Sequence, residues 1–255
     1  MTFSEYLKVS FGPDEDGLQR WFCPPDMSDS SPSAGVTRAV DLCAAPGSWS
    51  QVLARKLHAD SGDRSNDVKI VAVDLQAMAP IDGVTLIQGD ITRCETADRV
   101  IKEFEGSKAQ LIVCDGAPDV TGQHDLDEFL QSQLLLAALN ITTFIIEDGG
   151  TLVAKIFRGK DISSMIAQFR IFFEQVQVVK PKSSRSSSIE AFIVCRKYQK
   201  PSDYKPTMFD VTTDLKQDPS FKEMSTNPTK TNSLIPFLMC GDLNDITFEL
   251  DGATE

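Results

Sequence analysis

The sequence predicts an alternating α/β protein: seven strands in one mostly parallel sheet, with the last strand antiparallel and helices on both faces. Two observations carry this. Apolar, β-branched runs alternate with runs of 3.6-residue periodicity from about Val36 to Lys197, the pattern of parallel strands joined by crossover helices. The last two strand candidates are separated mainly by Pro181–Ser188, too short for a right-handed crossover, so they pair antiparallel.

The strands are predicted, in order, at Arg38–Cys43, Val68–Asp74, Val84–Gln88, Gln110–Cys114, Thr151–Ile156, Val176–Lys180 and Ile189–Cys195. Three helical faces fall between them. The first is Trp49, Val52, Leu53 and Leu57; the second is Leu130, Leu134, Ala138, Ile141 and Ile145; the third is Ile162, Met165, Ile166, Phe169 and Phe173. Outside this body, residues 1–34 are acidic and Pro-interrupted with no helical face, and are expected to be poorly ordered. Residues 201–255 form an acidic, polar tail, with one apolar patch at 234–243 able to dock on the domain. The domain itself is placed at 35–200.

Composition narrows the classes. With 255 residues, 41% hydrophobic and 24% charged, the chain can bury a sizeable core and is not disordered throughout. The longest mainly apolar stretch, Leu134 to Ile146, is broken by Asn140, Thr142 and Thr143, so no membrane span is expected. Met1–Ser10 lacks the basic cap and apolar block of a secretory signal. The six cysteines contain no C-x-x-C pair, which argues against a zinc site or disulfide framework and for reduced, buried thiols in the cytosol or nucleus. The net charge of −12 conceals an asymmetry: residues 151–200 carry ten Lys/Arg against three acids, and residues 201–255 carry four Lys against ten acids. A basic face sits on an acidic body.

The first strand runs into Asp41-Leu42-Cys43-Ala44-Ala45-Pro46-Gly47-Ser48-Trp49, a turn of small residues that lets the backbone approach a ligand beside a helix start. It is not G-x-G-x-x-G, so it does not read as a pyrophosphate seat. Asp74 ends strand two, where a carboxylate can accept from both hydroxyls of a ribose. Asp90 follows strand three, placed to accept from an exocyclic amine. An adenosine held by two acids without a phosphate seat points to S-adenosylmethionine rather than NAD; the competing reading is a helix N-cap at each Asp. Strand four ends at Asp115, strand five carries Lys155 among apolar neighbours, and strand seven begins at Glu190. A Lys in such a strand is either the centre of a structural ion pair or a base that takes a proton from a hydroxyl while the carboxylates orient it. No Ser-His-Asp or Cys-His set competes, since His58 and His124 read as surface residues. Lys180, Lys182 and Arg185 read either as phosphate contacts or as a solvated charged turn.

Taken together, DLCAAPGSWSQVL, VAVDLQAMAP, QGDIT, VCDGAPDVTG, VAKIF and KPKSSRSSSIEAF, over roughly Gly35 to Lys197, resemble the FtsJ/RrmJ family of RNA 2'-O-ribose methyltransferases, with their Rossmann-like fold. VDLQAMAP, GAPDVTG-x-HD and IPFLMCGDL resemble its eukaryotic branch that methylates the tRNA anticodon loop. The resemblance implies a cytoplasmic enzyme acting with a separate helper protein that selects the nucleotide. It implies that Gly47, Trp49, Asp74, Asp90 and Asp115 contact S-adenosylmethionine and that Lys155 is the catalytic base beside Asp115 and Glu190; with an RNA substrate, Lys180, Lys182 and Arg185 of the basic segment are the candidate phosphate contacts. No metal is implied.

One departure stands out. The family's reacting set is Lys-Asp-Lys-Glu, its first Lys lying on a basic helix upstream of strand one. The corresponding position falls around Trp21–Phe22, and Met1–Ala34 offers only Lys8 and Arg20. That implies either a variant or incorrect first segment on a normal enzyme, or a catalytically impaired adaptor that keeps the cofactor site. An NAD-dependent dehydrogenase is the further rival, opposed by the absent pyrophosphate glycines.

Overall fold

A computed structural model describes residues 36–61, 67–117, 124–158, 162–180, 189–202 and 204–206. Its elements in chain order are β1 (Arg38–Leu42), α1 (Ser48–Ser61), β2 (Lys69–Asp74), β3 (Val84–Gln88), α2 (Cys94–Glu103), β4 (Ala109–Cys114), α3 (His124–Ile145), β5 (Ile146–Phe157), α4 (Ile162–Phe172), β6 (Phe173–Val179) and β7 (Glu190–Tyr198).

The seven strands form one sheet in the order β3-β2-β1-β4-β5-β7-β6. β1 lies inside the sheet; the chain winds outward to β3, then crosses back to lay β4 against β1's other edge. This reversal opens a crevice at the carboxyl ends of β1 and β4, where open α/β sheets bind ligands. The pairs β1–β2, β1–β4, β2–β3 and β4–β5 are parallel, while β7 runs antiparallel to both β5 and β6, as the short 181–188 connection requires.

Side chains alternate across the sheet into two cores. Ala39, Leu111, Val113 and Val153 meet Trp49, Val52, Leu53 and Leu57 of α1; Val40, Leu42, Ile112 and Ala154 meet α2, α3 and α4 on the other face. Burial on both faces explains why the strands read as continuous apolar runs.

Four details depart from the sequence reading. α2 was not anticipated: its buried side is only Thr96, Ala97 and Val100, a short stripe among charged residues. β5 begins at Ile146, directly after α3, and its pairing shifts register before settling at Leu111↔Thr151, the predicted start. Phe173 is not the last position of a helical face but the first residue of β6, opposite Tyr198. Cys114 and Cys195 are buried, but Cys94 is exposed at the start of α2.

Packing also continues past Lys200. The Tyr204 ring stands edge-on to Phe172 at 4.8 Å, and its hydroxyl lies 3.3 Å from Thr143 Oγ1. The segment 1–34, the patch 234–243, most of the 201–255 tail, Lys182 and Arg185 lie outside the described residues. No described helix is long and apolar enough to cross a membrane.

Candidate active site

The carboxyl edge of the sheet has two differently built halves. In the first, β1 carries Asp41, fully buried, whose Oδ2 accepts from the Ser50 hydroxyl at 2.6 Å. Burial, above all, pushes its carboxyl from 3.8 up to about 7; Ser50 opposes the rise, and the charges of Asp115 and Asp74 add to it. The turn that follows is fixed by main-chain bonds from Ala44 N–H to Val73 O (3.1 Å) and from Gly47 N–H to Ala44 O (2.6 Å). Gly47 has φ +110°, and a Cβ there would stand 2.6 Å from Ile81 Cδ1, so only glycine fits without displacement. The turn delivers the start of α1 to the crevice, where first-turn amides and the helix dipole favour negative ligand groups.

Asp74 ends β2. Its Oδ2 accepts from Ala45 N–H and its Oδ1 from Gln76 N–H, both at 2.8 Å. Asp90 Oδ1 accepts from the Thr92 amide (2.8 Å) and hydroxyl (2.7 Å). Asp74 and Asp90 do not cap a helix: no described helix follows β2 directly, and α2 has Arg93 at its N-cap position with no side-chain bond. The capping alternative is set aside for Asp74 and Asp90, although Asp90 also closes its own turn, whereas Asp41 meets the first turn of α1 through the Ser50 amide and hydroxyl. Trp49 is 7% exposed and packs against Phe192, ring centroids 5.9 Å apart, within the α1 core. Its indole is a core group.

The second half is built from side chains. Lys155 Nζ lies 2.8 Å from Asp115 Oδ1 and 3.5 Å from Glu190 Oε2, with the Lys 13% exposed and the acids about one-third exposed. Asp115 follows β4, Lys155 is near the end of β5, and Glu190 opens β7, so adjacent strands bring the three together. Of the two sequence readings of Lys155, the ion pair is what the geometry shows, with the carboxylates on the strand ends either side of it.

Lys180, beyond β6, is half-buried; lost hydration chiefly lowers its pKa, the Arg158 charge adds to this, and Glu190 opposes it. Arg158, missed by the sequence reading, donates its main-chain N–H to Ile189 O at 2.8 Å beside this group. Its one legible signal was membership of the basic segment. Gln131 of α3 was also missed; it is 2% exposed and donates to the carbonyls of Gly116 (3.2 Å) and Lys155 (3.1 Å).

The neighbouring Cys114 and then burial push the Cys43 thiol well above its ordinary range, which disfavours the thiolate. His58 lies at the opposite, amino edge, its Nε2 2.8 Å from the place a Cβ would take on Gly83. The side chain of His124 lies outside the described residues.

The sheet order and the acidic edge define the class: a Rossmann-like methyltransferase fold. A crystal structure described as a ribosomal RNA methyltransferase from Plasmodium falciparum superposes with a TM-score of 0.54 at 24% identity, over 65% of this chain and 88% of that one. Residues 27–198 match the model of the FtsJ-like methyltransferases, and the chain belongs to that family. The match begins ahead of Gly35, where the motif resemblance starts. The tRNA (cytidine(32)/guanosine(34)-2'-O)-methyltransferase of Homo sapiens is 53% identical over 221 residues, 85% of this chain and 65% of that protein. The tRNA (guanosine(34)-2'-O)-methyltransferase of Drosophila melanogaster is 52% identical over 186 residues, 72% of this chain and 58% of that protein. The chain thus spans about two-thirds or less of these relatives' length. Family membership sets aside the dehydrogenase reading and gives the adaptor reading no support.

Proposed function

We propose that this protein is a tRNA 2'-O-ribose methyltransferase acting on the anticodon loop, in the cytoplasm, with a separate helper protein that selects the nucleotide. The relatives' names support tRNA and nucleotides 32 and 34. The observation that carries the chemistry is Lys155 Nζ bracketed by Asp115 and Glu190, on the strand next to β4, which borders the ligand crevice.

The crevice fits S-adenosylmethionine. Gly47 lets the turn take its left-handed conformation against Ile81, and the turn has no phosphate seat. Asp74 is held by two main-chain amides, one per oxygen, and each oxygen keeps a second lone pair for a ribose hydroxyl. Asp90, with Oδ1 committed to Thr92, has Oδ2 for an exocyclic amine. Asp115 borders the crevice, and Trp49 contributes its main chain at the helix start. When bound, S-adenosylmethionine supplies a methyl group activated for in-line displacement.

As the neutral amine, Lys155 Nζ takes the proton of the 2'-hydroxyl and becomes the ammonium, whose charge Asp115 and Glu190 pair while fixing the Nζ position. RNA is the fitting substrate because it alone offers the 2'-hydroxyl, and its loops present unstacked nucleotides that a cleft admits. Lys180, Lys182 and Arg185, joined by Arg158, contact phosphates.

The test is methyl transfer from labelled S-adenosylmethionine to an unmodified tRNA transcript, with the ribose methylation mapped. Methylation within the anticodon loop, lost in Lys155→Ala, is expected. Methylation of a base, or of ribose outside that loop, would overturn the reading.

A further inference from the structure

We propose that Gln131 is a positioning residue for the reaction, its side-chain amide clamping the parting ends of β4 and β5 so that Asp115 and Lys155 meet. The inference rests on the reading of Lys155 given above. Parallel pairing of β4 with β5 runs from Leu111↔Thr151 to Cys114↔Ala154 and ends there. Asp115 and Lys155 are the next residue on each strand, so the ladder stops where the reacting groups begin. Gln131 takes over: Nε2 donates to Gly116 O at 3.2 Å and to Lys155 O at 3.1 Å, tying the residue after Asp115 to Lys155 itself.

Both acceptors are carbonyl oxygens, so only the NH2 end of the amide can face them. Oε1 is left buried with no hydrogen-bond partner among the described residues. Leaving a buried acceptor unmet is unfavourable; the amide is explained by its two donors, because packing alone would be served by Leu or Met. Neighbouring geometry holds α3 close: a Cβ on Gly116 would stand 2.9 Å from Leu134 Cδ2, so the helix lies tight against the end of β4. Gln131 touches neither ligand in this scheme; it acts through the two backbones.

The test compares Gln131→Met, which keeps length and loses both donors, with Gln131→Glu, which regains one donor only when protonated. Single-turnover methyl transfer, KM for tRNA, S-adenosylmethionine affinity, thermal unfolding and NMR titration of the Lys155 side chain are measured, the Lys155 signal being identified by its loss in Lys155→Ala. Gln131→Met is expected to lower kcat by about 10²-fold, to leave KM and donor affinity near the parent's with the fold intact and the melting temperature only modestly lower, and to move the Lys155 titration midpoint. Gln131→Glu is expected to recover rate, relative to the parent, as pH falls.

If Gln131→Met keeps both kcat and the Lys155 midpoint while Lys155→Ala is inactive, the clamp is overturned and the site reading stands. If donor binding and unfolding fail together with kcat, Gln131 is an ordinary structural residue and the proposal is wrong. If Lys155→Ala transfers methyl at the parent rate, the underlying reading has failed and the clamp falls with it.

Discussion

The two halves of the sheet's carboxyl edge are made of different materials. At β1–β3 the functional acids are held by the main chain: Asp74 by the amides of Ala45 and Gln76, Asp90 by Thr92, the turn by Gly47 and Ala44. At β4, β5 and β7 the acids are held by the Lys155 side-chain nitrogen, which they hold in turn. Main-chain bonds fix a carboxylate without neutralising it, which suits a group that must accept hydroxyls from a bound molecule. A charge cluster balances its members against one another, so a substrate that perturbs one perturbs all, which suits proton movement. On the function proposed above, binding falls to one half and chemistry to the other, and each prediction tries to break that division.

The largest effect belongs to the charged half. Lys155→Ala should lower single-turnover transfer to tRNA by about 10²–10⁴-fold, the range for a removed general base. Next is the first segment. Replacing Met1–Ala34, which has no Lys near Trp21–Phe22, with a basic segment bearing one should raise the rate by about 10²–10³-fold. An equal rate before and after would show that the upstream cation is dispensable.

Asp74→Ala should weaken S-adenosylmethionine binding by about 1.5–3 kcal/mol, the worth of hydrogen bonds to a charged group, as read by calorimetry. It should leave the rate at saturating donor much less affected. Reversing Lys180, Lys182 and Arg185 to Glu should weaken tRNA binding. The slope of log affinity on log salt should fall by about 1 for each phosphate that the protein no longer neutralises, with donor binding unchanged.

The last prediction concerns stability rather than transfer, at Asp41 on β1. Its folded pKa is raised, from 3.8 to about 7, so the folded protein holds a proton that the unfolded chain releases. The stability gained this way is complete below about 3.8 and is lost as pH rises through about 7. The full rise is on the order of 4 kcal/mol, of which an Asn amide lacking its own partner returns part. The melting temperature of Asp41→Asn relative to the parent should therefore climb between about pH 4 and pH 8. A constant difference would mean that Asp41 does not titrate there.

What was legible in the sequence follows the same division. The strands were readable because burial on both faces makes them apolar throughout, and Asp74, Asp90, Asp115 and Lys155 stood out because a parallel sheet gathers strand ends on one edge. α2 escaped because charged residues dilute its narrow buried stripe, and the junctions at Ile145–Ile146 and Phe172–Phe173 escaped because apolar residues cross from helix to strand without a loop. Trp49 looked like a ligand contact by motif, yet its ring fills the core against Phe192. Gln131 had no signature at all: an amide within an apolar helical face means nothing until two carbonyls from distant strands arrive beside it.

The division is tested most directly by measuring S-adenosylmethionine affinity in Lys155→Ala by calorimetry, alongside its methyl transfer to tRNA. The account predicts transfer lost and affinity within about threefold of the parent, the pattern of an interaction needed only on the way to the transition state. Affinity falling in step with transfer would contradict it, because the charged half would then be part of the donor's seat.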